Sequence, residues 1–258
     1  MAEENTKRIT RWDLFKVFLG SFFLQAVWNY RSLLSIGFSS CLLPIASKLY
    51  PGTGDRLKML VRHLKFFNAH PYMASYALGV VVRLEEQAAR ESCETSDLLD
   101  RLKNLLISPL GAIGDRLFWA TIKPASLIFG MAWIISFPEA HYRLAGLAAA
   151  FLLYNAPHFY VRYRGLIEGY KYGTQIYKHI YPGRFEKIRR FYLGVLVLSL
   201  TWFAAILVYR LNGQQPIQLL FLVGALGIAW LLEKKTKNFY ITTFSTALLS
   251  LMLGIIFF

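Results

Sequence analysis

Three long apolar runs, residues 191–209, 216–232 and 239–258, lie at the end of the chain and are separated by short polar turns. At a rise of about 1.5 Å per residue, a helix over each run is about long enough to cross the roughly 30 Å hydrocarbon core of a bilayer. The segment before the first run and the turn before the third are basic. Because basic segments stay in the cytoplasm, the pattern predicts three transmembrane helices, a cytoplasmic N-terminus, an extracytoplasmic C-terminus and an odd number of crossings.

The first 50 residues show a different pattern, in which apolar stretches are short or mixed with charge. Residues 9–30 combine basic and aromatic side chains at a helical spacing. This predicts an interfacial helix on the cytoplasmic leaflet, with an ordinary buried amphipathic helix as the alternative. Residues 33–49 are apolar but contain Gly37 and Pro44, so the stretch is too short and too broken to span a membrane.

The segment from Ser108 to Pro124 carries residues that a plain spanning helix avoids. Irregular, charged backbone at membrane depth is tolerated where it is buried in protein or lines a wet cavity, as in re-entrant hairpins. We therefore expect this segment to form one hairpin tip of a transport core. Its unusual residues are Pro109, Gly111, Gly114, Asp115, Arg116, Lys123 and Pro124.

A second break is expected between Asn68 and Pro71. Pro71 lacks an amide N–H and disfavours helix at the residue before it. The polar stretch at residues 83–103 is interpreted as an exposed helix and loop. We expect its adjacent Glu85 and Glu86 on a solvated face, with hydrogen bonds or ion pairs to the basic elements as the alternative.

Residues 142–160 are apolar again but contain Asn155, Pro157 and His158, and residues 162–190 are polar and basic. The part from Lys178 onward is expected in the cytoplasm. The predicted organisation is a single membrane domain in four parts: an amphipathic segment 1–30, a hairpin-containing core 31–137, a helix and basic segment 138–190, and C-terminal helices 191–258.

Composition places the chain among membrane proteins. It is 55% hydrophobic, with a mean hydropathy of +0.39 and 17% charged residues, whereas a soluble domain carries about 25% charged residues. The net charge of +14 flanks apolar runs, which indicates contact with anionic lipid and no nucleic acid. Two cysteines and five histidines without ligand spacing predict no disulfide framework, metal or cofactor. No phosphate-binding loop or nucleophile elbow is present, and no signal peptide is expected.

Several short segments, spread in order over nearly the whole chain, carry a family pattern. They are Ser21 to Tyr30, Arg62 to Asn68, Leu84 to Gln87, Pro109 to Asp115, Phe118–Trp119 and Lys123–Pro124. In these segments the chain resembles the IID subunit of the mannose/fructose/sorbose family of bacterial sugar phosphotransferase systems (PTS).

The resemblance implies an all-α, polytopic integral membrane protein of the bacterial cytoplasmic membrane that pairs with a IIC subunit and carries a hexose inward. Phosphate would pass from phosphoenolpyruvate to the IIA and IIB phosphocarriers, and IIB would phosphorylate the arriving sugar. The IID subunit itself carries no phosphorylated residue. IIC–IID units would assemble as trimers with an elevator-like moving core. The alternative is a structural or regulatory paralogue that assembles with IIC without transporting.

Two positions depart from the family pattern. Asn29–Tyr30 is followed by Arg31–Ser32, where the family has an acidic and a basic residue. Arg116 follows Asp115 where the family has proline. Both departures lie in or beside the expected moving core, so they bear on sugar specificity and on transport competence.

Three residues are candidates for contact with the sugar. The Asp115 carboxylate is suited to accept hydrogen bonds from hydroxyls, with a local ion pair or a helix N-cap as the alternative. Asn68 offers donors and acceptors, with a hairpin cap as the alternative. Trp119 is suited to stack on a pyranose ring, with packing or interface anchoring as the alternative. The residues assigned to the hairpin motif are Pro71, Pro109, Gly111, Gly114 and Pro124.

Overall fold

The structure is a computed structural model that describes residues 7–91, 96–212 and 234–235. Regular structure in these ranges is helical, apart from two isolated bridges that pair Leu33 with Asn29 and with Phe67. The expected all-α architecture is therefore confirmed. The predicted spans at residues 216–232 and 239–258, and Cys93, lie outside the described residues.

The described α-helices are numbered here in chain order. They are α1 (Arg11–Gly20), α2 (Ser35–Ser40), α3 (Leu43–Leu49), α4 (Thr53–Arg62), α5 (Ala74–Glu91), α6 (Ser96–Gly114), α7 (Lys123–Ser136), α8 (Ala140–Tyr172) and α9 (Glu186–Asn212). A π-helical segment, Asp115–Ile122, joins α6 to α7. Short 3₁₀ turns occupy Ser21–Phe23, Gly173–Lys178 and Pro182–Phe185.

Three helical stretches of the described chain are long and apolar enough to cross a membrane: Ser96–Ser136, Ala140–Lys178 and Gly183–Arg210. The third contains the apolar run predicted at residues 191–209. The chain divides into two compact units, Met1–Ser199 and Leu200–Phe258. All contacts described below lie within the first unit.

Helix α1 has one buried face and one exposed aromatic face. Leu14 and Val17 are buried, whereas Trp12 is 62% exposed and Phe15 lies beside it. Thr10 caps the helix through a reciprocal hydrogen-bond pair with Asp13. An interfacial helix and an ordinary buried amphipathic helix both have one exposed face, so the interfacial interpretation stays a prediction.

Residues 33–49 form the short helices α2 and α3, so the prediction that this stretch is too broken to span is confirmed. Pro44 lies in the first turn of α3, where its missing N–H costs nothing. The Arg31–Ser32 departure falls in the turn before α2, where the Asn29 Oδ1 accepts from both backbone amides at 3.0 and 2.9 Å.

Helices α5 and α8 form the centre of the first unit, and glycines let their backbones approach. A Cβ added at Gly79 would lie 2.6 Å from the Tyr170 amide nitrogen, and one at Gly169 would lie 3.0 Å from the Gly79 Cα. Small residues at such crossings allow close van der Waals packing between helices in a membrane. Glycine is therefore required at both positions.

The structure corrects the expectation of a hairpin tip at Ser108–Pro124, because one helix runs from Ser96 to Ser136 without reversing. The ring of Pro124 would clash with the carbonyl four residues earlier in a regular α-helix. The π segment widens the helix by one residue per turn, so that the Lys123 N–H donates to the Phe118 carbonyl. The Thr121 hydroxyl donates to the Arg116 carbonyl at 2.9 Å. Local widening thus accommodates the proline without a chain reversal.

Helix α8 contains Pro157, which leaves the Leu153 carbonyl without its usual amide donor. The Tyr192 hydroxyl of α9 donates to that carbonyl at 2.5 Å. In a bilayer an unpaired carbonyl costs several kcal/mol, roughly, so a neighbouring helix that supplies the donor makes the proline tolerable. The predicted division between residues 142–160 and 162–190 is accordingly not a helix boundary.

Candidate functional site

The two irregular segments predicted from the sequence meet in space. The turn before α5 places the His70 ring in a stack on Phe118 of the π segment, with 5.1 Å between ring centroids. The Trp119 ring also lies 5.1 Å from His70. Gly114 lies beneath, where a Cβ would collide with the His70 side chain. The break at Asn68–Pro71 is confirmed, and it contacts the segment that was expected to form the other break.

Helix α8 adds a buried polar group to this junction, and we call His70, Tyr72, Tyr154, His158 and Arg162 together the arginine cluster. The Tyr72 ring stacks on the His158 ring at 3.8 Å between centroids. The Tyr72 and Tyr154 hydroxyls lie 2.7 Å apart. The Arg162 Nε donates to the His158 Nε2 at 3.1 Å.

Arg162 is the charged centre of the cluster and is only 3% exposed. It donates to the Ser21 carbonyl, and to the Ser21 hydroxyl at 3.1 Å. Its guanidinium also lies over the Phe22 and Tyr72 rings, at 4.7 and 5.2 Å. In the described part of the chain no carboxylate lies within ion-pair distance of it. Its charge is therefore balanced by dipoles and aromatic faces, and a buried arginine without a carboxylate partner is a candidate for a functional role.

The bond from Arg162 assigns the tautomer of His158. Arginine can only donate, so the His158 Nε2 must be the unprotonated acceptor and the ring proton lies on Nδ1. Nδ1 faces the Asn155 Oδ1 at 3.4 Å. A neutral His158 is thus fixed between Asn155 and Arg162.

Asn68, Asp115 and Trp119, the predicted sugar contacts, are all exposed beside this cluster. Asp115 lies inside the continuous helix, so the N-cap alternative is wrong. The ion-pair alternative also fails, since no cation within residues 7–91 and 96–212 pairs with Asp115. Trp119 is 52% exposed, whereas its neighbour Phe118 is fully buried. The three candidates point away from the packed core of the first unit.

Four of the five residues assigned to the hairpin motif lie within helices, and Pro71 lies in a turn. Pro71 lies in the turn before α5, Pro109 in the interior of α6 and Pro124 at the start of α7. Gly111 has open space around its Cβ position, whereas Gly114 is required by the close approach of His70. Of these five residues, only Pro71 lies where the helical structure is interrupted.

Sequence reasoning missed Arg162 and Tyr72, and treated His158 only as an isolated histidine. A signal was present, because His158 and Arg162 are four residues apart and share a helix face at the end of an apolar run. The arginine was instead assigned to the polar segment at residues 162–190.

Glu85 corrects the expectation of a solvated carboxylate pair, since it is fully buried. Its Oε1 lies 2.8 Å from the His63 Nε2 and 3.3 Å from the Arg62 Nε. Its Oε2 accepts from the Tyr50 hydroxyl at 2.8 Å. Burial lowers the pKa of His63 despite the neighbouring carboxylate, and burial together with Glu85 raises the pKa of Tyr50.

Glu86 is 1% exposed and joins three parts of the chain. Its Oε1 accepts from the Ile9 amide at 2.8 Å, and its Oε2 accepts from the Tyr170 hydroxyl at 2.6 Å. Arg83 lies 3.5 Å from Oε2. The alternative interpretation, hydrogen bonds and ion pairs to other elements, is therefore confirmed for both glutamates. We call Glu85, Glu86 and their partners the carboxylate cluster.

The described residues contain no group of three or more His, Cys, Asp or Glu side chains placed to hold a metal ion. The chemistry available at the junction is hydrogen bonding and aromatic stacking, from Asn68, Asp115 and Trp119 at its surface and from the arginine cluster beneath. Such groups suit recognition of a neutral ligand rich in hydroxyls.

Comparison with known proteins gives one consistent family. The sequence profile of the "PTS system mannose/fructose/sorbose family IID component" matches residues 8–258. The mannose-specific EIID component of Escherichia coli (strain K12) is 30% identical over 251 residues, which cover 97% of this chain and 82% of that protein. The fructose permease IID component of Bacillus subtilis (strain 168) is 29% identical, covering 77% and 73% of the two chains.

Solved structures agree. A chain from the cryo-electron microscopy structure of the mannose transporter ManYZ in complex with microcin E492 superposes with a TM-score of 0.60 at 31% identity. The match covers 77% of this chain and 70% of that one. A second structure, titled only as a membrane protein, superposes with a TM-score of 0.66 at 30% identity and covers 75% and 70%.

Proposed function

This chain belongs to the mannose/fructose/sorbose family of PTS IID components, and from that premise we propose that it pairs with a IIC subunit to bind a hexose and move it inward for phosphorylation by IIB. As a IID component it is a multi-pass protein of the bacterial inner membrane. The curated relatives are named for mannose, fructose and sorbose. These names support a hexose as the substrate class.

One observation carries the proposal. Asn68 is exposed in the break before α5, Asp115 and Trp119 are exposed in the π segment, and the two segments are in contact through His70 and Trp119. Polar groups that face lipid without a partner are costly. The exposure of these three residues in the single chain is explained if IIC covers this surface and completes a sugar pocket there.

The residues of the pocket would act by binding alone. The Asp115 carboxylate would accept from sugar hydroxyls, and the Asn68 amide would donate and accept. The Trp119 ring would stack on the apolar face of the pyranose. The arginine cluster beneath would hold His70 and Tyr72 in place, since Arg162 bridges α8 to Ser21. The phosphoryl group would stay on IIA and IIB until IIB meets the sugar.

The remaining parts of the proposal follow the family pattern. IIC–IID units would form trimers, with the N-terminus in the cytoplasm and the C-terminus outside. A IID paralogue that assembles with IIC without transporting remains the second candidate, and the permease components among the relatives do not favour it.

The test is uptake of labelled mannose, fructose and sorbose by cells that express this chain with its IIC, IIB and IIA partners. We expect uptake of at least one of the sugars to exceed that of cells carrying the same operon without this chain. Equal uptake for every sugar, with the chain present in the membrane beside IIC, would contradict transport and support the non-transporting paralogue.

A further inference from the structure

A cavity of about 140 Å³ lies between the π segment and the start of α9. Its apolar wall comes from Ile113, Leu117 and Phe185. Its charged wall contains Arg116, Arg189 and Glu186. The proposed sugar contacts leave this cavity unused.

The charges around the cavity do not cancel. Glu186 is held by Arg189 at 2.6 and 2.8 Å, and by Arg190 at 3.2 Å. Within the described ranges, no carboxylate lies within ion-pair distance of Arg116, which is exposed. Two arginines and one carboxylate thus line the cavity, and the excess positive charge favours an anion.

The charge pattern of three apolar helices indicates that the cavity lies at the level of the membrane surface. Arg116 precedes the apolar stretch that runs through α7, and Glu186–Arg190 precede the apolar run of α9. Arg162 and Arg164 follow the apolar run of α8, which is antiparallel to its neighbour α7. Charged residues therefore end all three apolar stretches at the same side. The phosphate groups of the lipid headgroups occupy this depth, and basic pockets between transmembrane helices bind such headgroups.

We propose that this cavity binds the headgroup phosphate of an anionic phospholipid, with Arg116 as the principal donor. Arg189 adds positive charge beside the phosphate. The side chains of Ile113, Leu117 and Phe185 contact the apolar part of the lipid. A free phosphate has no apolar surface that could pack against that wall. The inference does not depend on which sugar is carried.

The test is native mass spectrometry of the full-length chain in a non-ionic detergent, titrated with phosphatidylglycerol or with phosphatidylcholine of the same acyl chains. We expect phosphatidylglycerol to bind more tightly than phosphatidylcholine. Arg116→Gln should weaken phosphatidylglycerol binding about five-fold, the equivalent of about 1 kcal/mol for one basic residue at the surface. Arg116→Lys keeps the charge and should bind nearly as well as the wild type.

Arg101→Gln is the matched control, since Arg101 is also exposed, lies on α6 of the same long helix and does not line the cavity. It should leave binding unchanged. Equal losses in both glutamine variants, or no loss in Arg116→Gln, would overturn the site. Displacement of the lipid by inorganic phosphate or by a hexose phosphate at similar concentration would assign the site to a free anion. If the chain retains phosphorylated IIB and does not prefer phosphatidylglycerol to phosphatidylcholine, the site would be assigned to a phosphoprotein.

If Arg116→Gln yields too little protein, the melting temperature of the wild type in the two lipids tests the proposal. Phosphatidylglycerol must then raise its melting temperature above that in phosphatidylcholine, and equal melting temperatures would contradict the proposal.

Discussion

The carboxylate cluster and the arginine cluster are both buried, yet their charged groups have different kinds of partners. All four carboxylate oxygens of Glu85 and Glu86 have partners from other parts of the chain. The Arg162 charge meets no carboxylate in the described chain and is balanced by the His158 ring nitrogen and two aromatic faces. Charges that are paired within one chain hold its fold together. A buried charge without a carboxylate partner, next to the exposed Asn68 and Asp115, indicates a surface that another molecule completes.

The largest effect is expected at Glu85. Glu85→Ala removes the hydrogen-bond partner of His63 and Tyr50 and the ion-pair partner of Arg62, and it leaves their polar groups buried. It should therefore lower the free energy of unfolding by about 3–5 kcal/mol. Thermal unfolding of the purified full-length chain in detergent measures this. Glu139→Ala, at an exposed carboxylate before α8, is the control and should change stability by less than about 0.5 kcal/mol. A small effect at Glu85 would mean that the cluster is not structural.

Asp115→Asn should act on transport and leave the fold intact. A hydrogen bond to a charged acceptor contributes about 1.5–3 kcal/mol, so losing the charge should reduce sugar uptake about ten-fold or more. The melting temperature should stay at the wild-type value because Asp115 is exposed and has no partner in the described chain. Unchanged uptake, with equal amounts of protein in the membrane, would remove Asp115 from the proposed pocket.

Tyr72→Phe tests whether the arginine cluster contributes to stability as well. The substitution keeps the stack on His158 and removes the hydrogen bond to Tyr154, so it should lower stability by about 0.5–1.5 kcal/mol. Tyr142→Phe, at a half-exposed ring, is the control and should be neutral. A loss of uptake much larger than the loss of stability would place the Tyr72 hydroxyl in the sugar pocket.

The smallest effect is expected from pH, through His63. Its pKa is lowered in the folded chain because burial disfavours the charged ring. The unfolded state therefore binds the proton more readily, and stability should fall as the pH drops below the unfolded value of about 6.5. Unfolding followed from neutral to mildly acidic pH measures this, and His63→Gln should flatten the dependence. A stability that rises on acidification would show that Glu85 holds His63 protonated.

Prediction from the sequence succeeded where a local pattern was enough. The Pro71 break, the broken stretch at residues 33–49 and the apolar run at 191–209 follow from proline chemistry and hydrophobic length, which act over a few neighbouring residues. Prediction failed where residues far apart in the sequence determine whether a side chain is buried and what it contacts. Glu85 and Glu86 looked solvated because their partners Tyr50, His63, Ile9 and Tyr170 lie far away in the chain.

Proline shows the division most clearly. The sequence alone determined that Pro124 and Pro157 each disturb a helix, because the missing N–H and the ring are properties of the residue. Only the tertiary structure decided the outcome: a π segment absorbs Pro124, and the Tyr192 hydroxyl pairs the carbonyl that Pro157 leaves free. Composition and apolar length likewise determined a helical membrane protein. Which of its polar residues are paired and which remain open was decided by packing, because a buried charge is stabilised by partners that the chain brings from elsewhere.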